Sequence, residues 1–323
     1  MTLTRRAALL AAPALALGAQ AARAQGFPNR PVRIVVPYTP GGVSDITARL
    51  IADPMAAALG VAVPVENRAG ADGVIGTDVV AKSAPDGHTL ALVSVAHPVN
   101  AAFYRLPFDT MRDFTFLTLT TRTPLVLCAA RGFAANTAAE LVAHAQRNPR
   151  GHVTFAGTGG VVRLAPVLFA QRTGIEMTYV PYRGSTQAHP DLISGRVDIM
   201  FDTVPAALPH IQSGQLKALA TTGATRAPQL PDVPTVGETL AGFEASTWGM
   251  VIGPANMPGP VTDRLHREIV AAVRRPDIVD RHRTLGADVV TSNPDETRSF
   301  VQAELEKWGA AARAAGVQPQ NAG

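Results

Sequence analysis

Residues 35–52, VVPYTPGGVSDITARLIA, decide how the chain is to be read. An apolar run closes on Pro-Tyr-Thr-Pro, two glycines follow, and the apolar period then turns helical, with Ile46, Leu50 and Ile51 on one face. That pattern predicts a strand, a glycine turn and a helix N-terminus, with Ser44 or Asp45 placed to cap it. Such a junction presents unpaired backbone N–H groups and the positive end of a helix dipole, so it suits an anion.

The same grammar runs on. Residues 61–84 repeat it, with Gly70, Gly73 and Gly76 ahead of Val79 and Val80, and Pro-Asp-Gly at 85–87 opens a buried strand. This alternation predicts a parallel sheet with helices on its faces. Residues 114–130, FTFLTLTTRTPLVLCAA, then form one β-rich stretch longer than a usual strand, as a segment passing from one lobe into another would be. After it the alternation resumes: a helix over 137–147, a strand over 152–157, a helix over 162–172, and strands over 177–182, 196–202 and 216–223. A proline-rich connection at 226–244 leads to a second extended stretch at 245–258. The tail is helical, with Asn293 as N-cap, Pro294 at the first helical position and Glu296 completing a capping box. The layout is α/β lobe, crossing, α/β lobe, crossing, return helices, with a cleft between the lobes.

The chain has 323 residues, 46% of them hydrophobic and 17% charged, enough for a large core. At 5% the aromatics are too few for platforms that stack bases or long sugars. Residues 1–24 have a basic start, an apolar stretch and Ala22-Arg23-Ala24 before Gln25, the pattern of a cleaved secretory signal too short for a durable membrane span. Arg5-Arg6 after Thr4 fits a twin-arginine signal, although paired arginines also occur in ordinary ones. Three arginines and no acid in that segment bring the net charge of +4 down to +1 for the remainder, which removes the case for nucleic acid. Cys128, the single cysteine, sits in an apolar run that favours a buried, inert thiol. The expected compartment is the periplasm.

No G-x-S-x-G, H-E-x-x-H, C-x-x-C or phosphate-binding P-loop pattern occurs, and GTGGVV at 157–162 lacks the third glycine of a dinucleotide fingerprint. The eight histidines are scattered without metal-ligand spacing. What recurs is the glycine-rich strand-to-helix junction, at 38–45, 157–163 and 183–188, each with small hydroxyls beside backbone N–H groups. Glycine turns are also routine in any α/β fold. The first junction and the other two fall in different lobes, an arrangement suited to an elongated ligand with an anionic group at each end.

The blocks RPVRIVVPYTPGGVSDITARL, VPVENRAGADGVIGTDVVAKSAPDGHTL, VPYRGSTQAHPDLISGRVDIMFDTVPAALPHIQSGQLKALA, PDVPTVGETLAGFEASTWGM and EKWGAAARAAG resemble the Bug family, the periplasmic solute-binding receptors of tripartite tricarboxylate transporters. The resemblance runs end to end beyond the signal. It implies a two-lobe type II periplasmic binding protein of Venus-flytrap form, α/β in class, that binds small mono- or dicarboxylates without catalysis and without a metal or cofactor. Its expected partners are the membrane subunits of a transporter; no nucleic acid is expected, and the chain is expected to be a monomer. The lobes divide as 25–121, 122–245 and a return over 246–323. A sensory receptor on the same clamp, or a periplasmic enzyme on the same scaffold, are the rival functions.

Carried over by position, Thr39, Gly41, Gly42, Ser44 and Asp45 match the first-lobe loop, and His97 and Asn100 the segment beside it. Gly157, Thr158 and Gly159 match the second-lobe anion loop, Gly184, Ser185 and Thr186 the next loop, and Asp202 a strand end facing the site. Two departures stand out. Val162 and Arg163 replace a small polar residue and a histidine, and Ala188-His189-Pro190 stands where the family is apolar, so the helix after Gly184 is expected to start late or bend. Arg163 either clamps a carboxylate or lies solvated on the first turn. Arg183 faces solvent or a carboxylate of its own lobe. Asp45 caps and orients the loop, and Asp202 either orients loop N–H groups or touches ligand. His97 either tunes anion binding by its charge or packs beside Pro98. Trp248 either lines the cleft floor or packs the hinge.

Overall fold

The computed structural model describes residues 26–147, 153–158 and 160–321. The signal segment expected at 1–24 and the expected site residue Gly159 lie outside the described residues. In chain order come β1 (Arg33–Val36), α1 (Val43–Leu59), β2 (Val65–Asn67), α2 (Val74–Ala81), β3 (Thr89–Ser94), α3 (Ala96–Phe103), β4 (Tyr104–Arg105) and β5 (Phe114–Ala130). There follow α4 (Ala138–Arg147), β6 (Val153–Gly157), α5 (Gly160–Thr173), β7 (Met177–Pro181), α6 (Ser185–Ile193), β8 (Ile199–Thr203), α7 (Val204–Gln212) and β9 (Leu216–Thr221). The last elements are α8 (Val236–Thr239), β10 (Ser246–Pro254), α9 (Gly259–Val273), α10 (Pro276–Thr284), β11 (Asp288–Val289), α11 (Pro294–Ala314) and β12 (Gln320–Asn321).

The expected parallel pairing holds inside each half. β1 runs parallel to β2 and β3, and β6 runs parallel to β7 and β8. The crossing strands are the exception, because both run antiparallel to their neighbours. β5 changes partners along its length. Through Pro124 it pairs with β10, and from Leu125 onward it pairs with β8 and β9. Proline lacks the N–H a ladder needs, so Pro124 is suited to the point where one ladder gives way to the next.

Alternation along β5 then covers both faces of the second half-sheet. Leu125 and Leu127 belong to one core with Phe155, Phe169 and Phe201, while Val126 and Cys128 belong to another with Met200, Ala188 and Leu192. Ile34, Ile51, Met55, Leu90, Leu92 and Leu265 fill the first half. Cys128 is fully buried, burial pushes its thiol well up, and its Sγ lies 3.4 Å from the Met200 carbonyl, the inert setting its sequence context implied.

The C-terminal helix α11 begins with the expected capping box: Asn293 accepts from the Glu296 N–H at 2.8 Å and Glu296 accepts from the Asn293 N–H at 2.9 Å. It packs on α3, β5 and α5 and so touches both halves. Its buried Glu304 accepts hydrogen bonds from the Trp248 indole at 2.8 Å and the Trp308 indole at 2.9 Å, and Lys307 pairs with it. Trp248 also meets Phe300 edge-on at 5.2 Å between centroids. Its side chain thus packs a crossing strand onto α11. The helix after Gly184 starts without delay at Ser185 and carries Pro190 inside it, so the expected late start is not seen.

Candidate functional site

The first-lobe loop is held from beneath. Gly41 has φ +89, a conformation that disfavours side chains, and Gly42 is the N-cap of α1 with extended backbone and no side-chain cap. This corrects the expected cap. Neither Ser44 nor Asp45 supplies it, because the Asp45 carboxylate turns back under the loop. It accepts from the Gly41 N–H at 2.9 Å, from Arg49 Nε at 3.1 Å and from Asn67 Nδ2 at 2.9 Å. Burial pushes the Asp45 carboxyl up, but these hydrogen bonds and the Arg49 charge outweigh it and hold the group below the ordinary carboxylate range. Asn67 also donates to the Tyr38 carbonyl at 3.1 Å, which fixes the other end of the loop. The first-turn N–H groups after Gly42 are therefore left without a side-chain acceptor. Thr39, Gly41 and Gly42 are exposed, and Ser44 is half-buried.

A cavity of about 250 Å³ opens beside this loop. Tyr38, Gly42, Val43 and Ser44 line it from the loop, Ser94 and Val95 from the end of β3, Thr121 and Thr123 from β5, and Thr247, Trp248 and Gly249 from β10. Tyr38 is fixed by Ser94, whose N–H and Oγ donate to its hydroxyl at 3.0 and 2.8 Å. Burial pushes the Tyr38 pKa up, so it stays a neutral phenol. Gly73, with φ +96, packs against its ring; a Cβ there would lie 2.8 Å from the ring edge.

Asn100 and His97 do not line this cavity. Asn100 Nδ2 donates to the Asp72 carbonyl at 2.9 Å, and the Tyr104 hydroxyl donates to Asp72 Oδ2 at 2.6 Å. Burial and the Asp72 carboxylate push Tyr104 up to about 12. These contacts brace Ala71 and Asp72, which both hold positive φ. The His97 ring is buried between Phe108 and Phe114, with Nε2 donating to the Thr110 carbonyl at 3.1 Å. Burial pushes its pKa down to about 4, so it is neutral where an unburied imidazole would begin to charge. The ring packs, but against Phe108 and Phe114 and not only beside Pro98, and as a neutral group it does not tune anion binding by its charge.

In the second lobe Gly157 ends β6 under the Tyr179 ring, where a Cβ would fall 2.8 Å from a ring carbon and 3.2 Å from Arg163 Cα. Only glycine lets the strand end, the ring and the start of α5 approach this closely. Thr158 follows, half-buried. Arg163 stands where neither alternative put it. Its guanidinium carbon lies 4.7 Å from the Tyr179 ring centroid and 5.5 Å from that of Phe103, so it bridges a second-lobe strand and a first-lobe helix. No described carboxylate pairs with it.

Gly184 is the N-cap of α6 without a side-chain cap. Asp202, 1% exposed, organises that loop. Its Oδ1 accepts from Ser185 Oγ and the Thr203 N–H, both at 2.8 Å, and its Oδ2 accepts from His189 Nε2 at 2.8 Å. Asp202 therefore orients the loop, and the Ser185 hydroxyl donates inward. Thr186 and Arg183 are exposed.

Of the expected site residues the structure brings Gly42 and Ser44 onto the cavity, with Gly41 and Asp45 supporting them. Among the described residues its lining comes from the first lobe and the crossing strands. Sequence reasoning missed Tyr38, Ser94, Thr121, Thr123 and Thr247. The alternating threonines of TLTTRT carried the signal for two of them. Among the described residues no three of His, Cys, Asp and Glu gather as metal ligands, and no helix is long and apolar enough to cross a membrane.

Residues 47–317 match the model of the tripartite tricarboxylate transporter family receptor. A protein from the tcbD–tcbE intergenic region of Pseudomonas sp. strain P51 is 40% identical over 311 residues, covering 94% of this chain and 92% of that one. Protein BugT of Bordetella pertussis is 36% identical, covering 91% and 92%. Among solved structures, Rpa4515 of R. palustris with adipate superposes with a TM-score of 0.73 at 31% identity, covering 91% of this chain and 100% of the other. MatC of Rhodopseudomonas palustris with bound malate gives 0.69 at 32%, covering 88% and 100%.

Proposed function

The chain belongs to the tripartite tricarboxylate transporter receptor family, and on that premise we propose that it is an exported periplasmic receptor. It captures a small organic anion, a mono- or dicarboxylate, and hands it to membrane subunits of a transporter without transforming it. The observation that carries this reading is the uncapped N-terminus of α1, whose free N–H groups adjoin a cavity floored by both crossing strands. The adipate and malate held by two similar structures fit the same chemistry.

In this reading the lobes are residues 25–121 and 122–245, with 246–323 returning to the first. Thr39, Gly42 and Ser44 take one end of the ligand, and Thr158, Gly159, Gly184 and Thr186 take the other when the lobes close about β5 and β10. The protein works as a monomer, and residues 1–24 are removed on export.

Calorimetric titration of the chain purified from periplasm, with native mass spectrometry of the protein as isolated, tests the proposal. A carboxylate that binds and raises the melting temperature with concentration supports it. Failure of every short mono- and dicarboxylate to bind, or turnover of one that does, overturns it.

A further inference from the structure

The two crossing strands meet in a register that concentrates hydroxyls on the cavity. Thr123 faces Thr247 directly, and Thr121 faces Gly249. Between Gly249 and Met250 the pairing slips, from Thr121 to Leu119, so that Thr120 is the extra residue of a bulge. Bulges re-aim side chains, and they recur beside functional sites. Here the slip turns Thr120 and Thr121 toward the same glycine. A Cβ on Gly249 would fall 2.8 Å from Thr120 Oγ1 and 2.9 Å from Thr121 Oγ1, so the absence of a side chain keeps these hydroxyls uncovered.

They are also unused. Thr121 is 2% and Thr123 4% exposed, and neither hydroxyl has a hydrogen-bond partner among the described residues. Thr120 Oγ1 is buried without a partner as well. Thr247 Oγ1 reaches only the Thr123 carbonyl, at a long 3.4 Å. The Thr121 and Thr123 side chains line the cavity and enter no hydrogen bond with described residues, so their hydroxyls are left for a partner that is not part of the protein. The described lining of the cavity includes no lysine, arginine or histidine. Hydroxyls both donate and accept, which matches a neutral polar substituent better than a carboxylate.

We propose that Thr121, Thr123 and Thr247, opened by the bulge and by Gly249, recognise a hydroxyl on the backbone of the bound acid, so that the receptor selects short hydroxycarboxylates over their unsubstituted counterparts. This rests on the receptor reading above: the loop N–H groups hold a carboxylate, and the strand floor reads what lies next to it. A site built to hydrogen-bond a ligand hydroxyl penalises the analogue lacking it, because its own polar groups are then left unpaired.

The test is calorimetric titration of the mature chain with matched pairs, L-malate against succinate and L-lactate against propionate. The hydroxylated member of at least one pair should bind at least about tenfold more tightly. Thr121→Val and Thr123→Val should each bring that ratio to within about threefold by weakening the hydroxylated acid more than its unsubstituted counterpart, and Thr123→Ser should restore it. Binding without a hydroxyl preference, or a preference that survives both valine variants, overturns this inference alone. No binding by any of the four acids overturns this inference, and the receptor reading falls with it only when every other short mono- and dicarboxylate fails to bind as well.

Discussion

Arg163 offers the sharpest perturbation, because the structure gives it a different role from the carboxylate clamp that its place after the glycines suggests. Replacing it with alanine removes two ring contacts, at 4.7 Å from Tyr179 and 5.5 Å from Phe103. A cation over an aromatic face contributes about 0.5–1 kcal/mol when exposed and about 2 when desolvated. The side chain is half-buried, so the two contacts together amount to about 1–2 kcal/mol, with a further small loss from the packed stem. For a chain of this size that lowers the melting temperature by roughly 2–6 °C. Phe103 and Tyr179 come from different halves, so a double-mutant cycle of Arg163→Ala with Phe103→Leu isolates the bridging contact, with a coupling of about 0.5–1 kcal/mol. Arg163→Lys keeps the charge but not the flat stacking, and recovers only part of the loss. Thermal melts and calorimetric titration with a bound carboxylate, run on the same variants, separate the two roles. The stacked role predicts a lower melt with affinity within about threefold. A clamp predicts the reverse, an affinity loss of about 1.5–3 kcal/mol, the worth of a charge-assisted hydrogen bond, at an unchanged melt. That second outcome refutes the reasoning from the stack.

Gly42→Val should abolish carboxylate binding, by more than about tenfold, yet leave the melt within a few degrees, because its backbone is extended and a Cβ there meets nothing within 4 Å; unchanged affinity would show that the loop is only scaffold. Glu304→Ala strands two buried indole N–H groups, at about 1–3 kcal/mol each, so denaturant unfolding should show a loss of roughly 2–6 kcal/mol with Glu304→Gln in between; a loss below about 1 kcal/mol would contradict the bonding seen here. His97, pushed down to about 4, is neutral in the fold and takes up a proton more readily when unfolded, so its contribution is complete above the ordinary histidine pKa and is lost as pH falls from about 6.5 toward 4. An NMR titration should therefore show no His97 midpoint between about pH 5.5 and 8, and one near 6.5 would mean that the ring is not buried as described.

Much of this molecule could be read in its sequence because much of it is decided locally. The strand–glycine–helix punctuation at 35–52, the unbroken run of β5 and the capping box at Asn293 and Glu296 depend on residues one to four positions apart, and each stands where the periodicity placed it. The family blocks added the lobed architecture. The site was decided elsewhere. Asp45 leaves the cap because Arg49 and Asn67 draw its carboxylate beneath the loop, and Asn67 arrives from the next strand. His97 is a core residue because Phe108 and Phe114 fold over it, and Arg163 stacks because Phe103 and Tyr179, 76 residues apart in the chain, both supply ring faces to it. The hydroxyl floor depends on one bulge and on the register that sets Thr123 against Thr247 and Thr121 against Gly249. A strand's period states which residues share a face, but the partner strand, more than a hundred residues away in the chain, decides what that face meets.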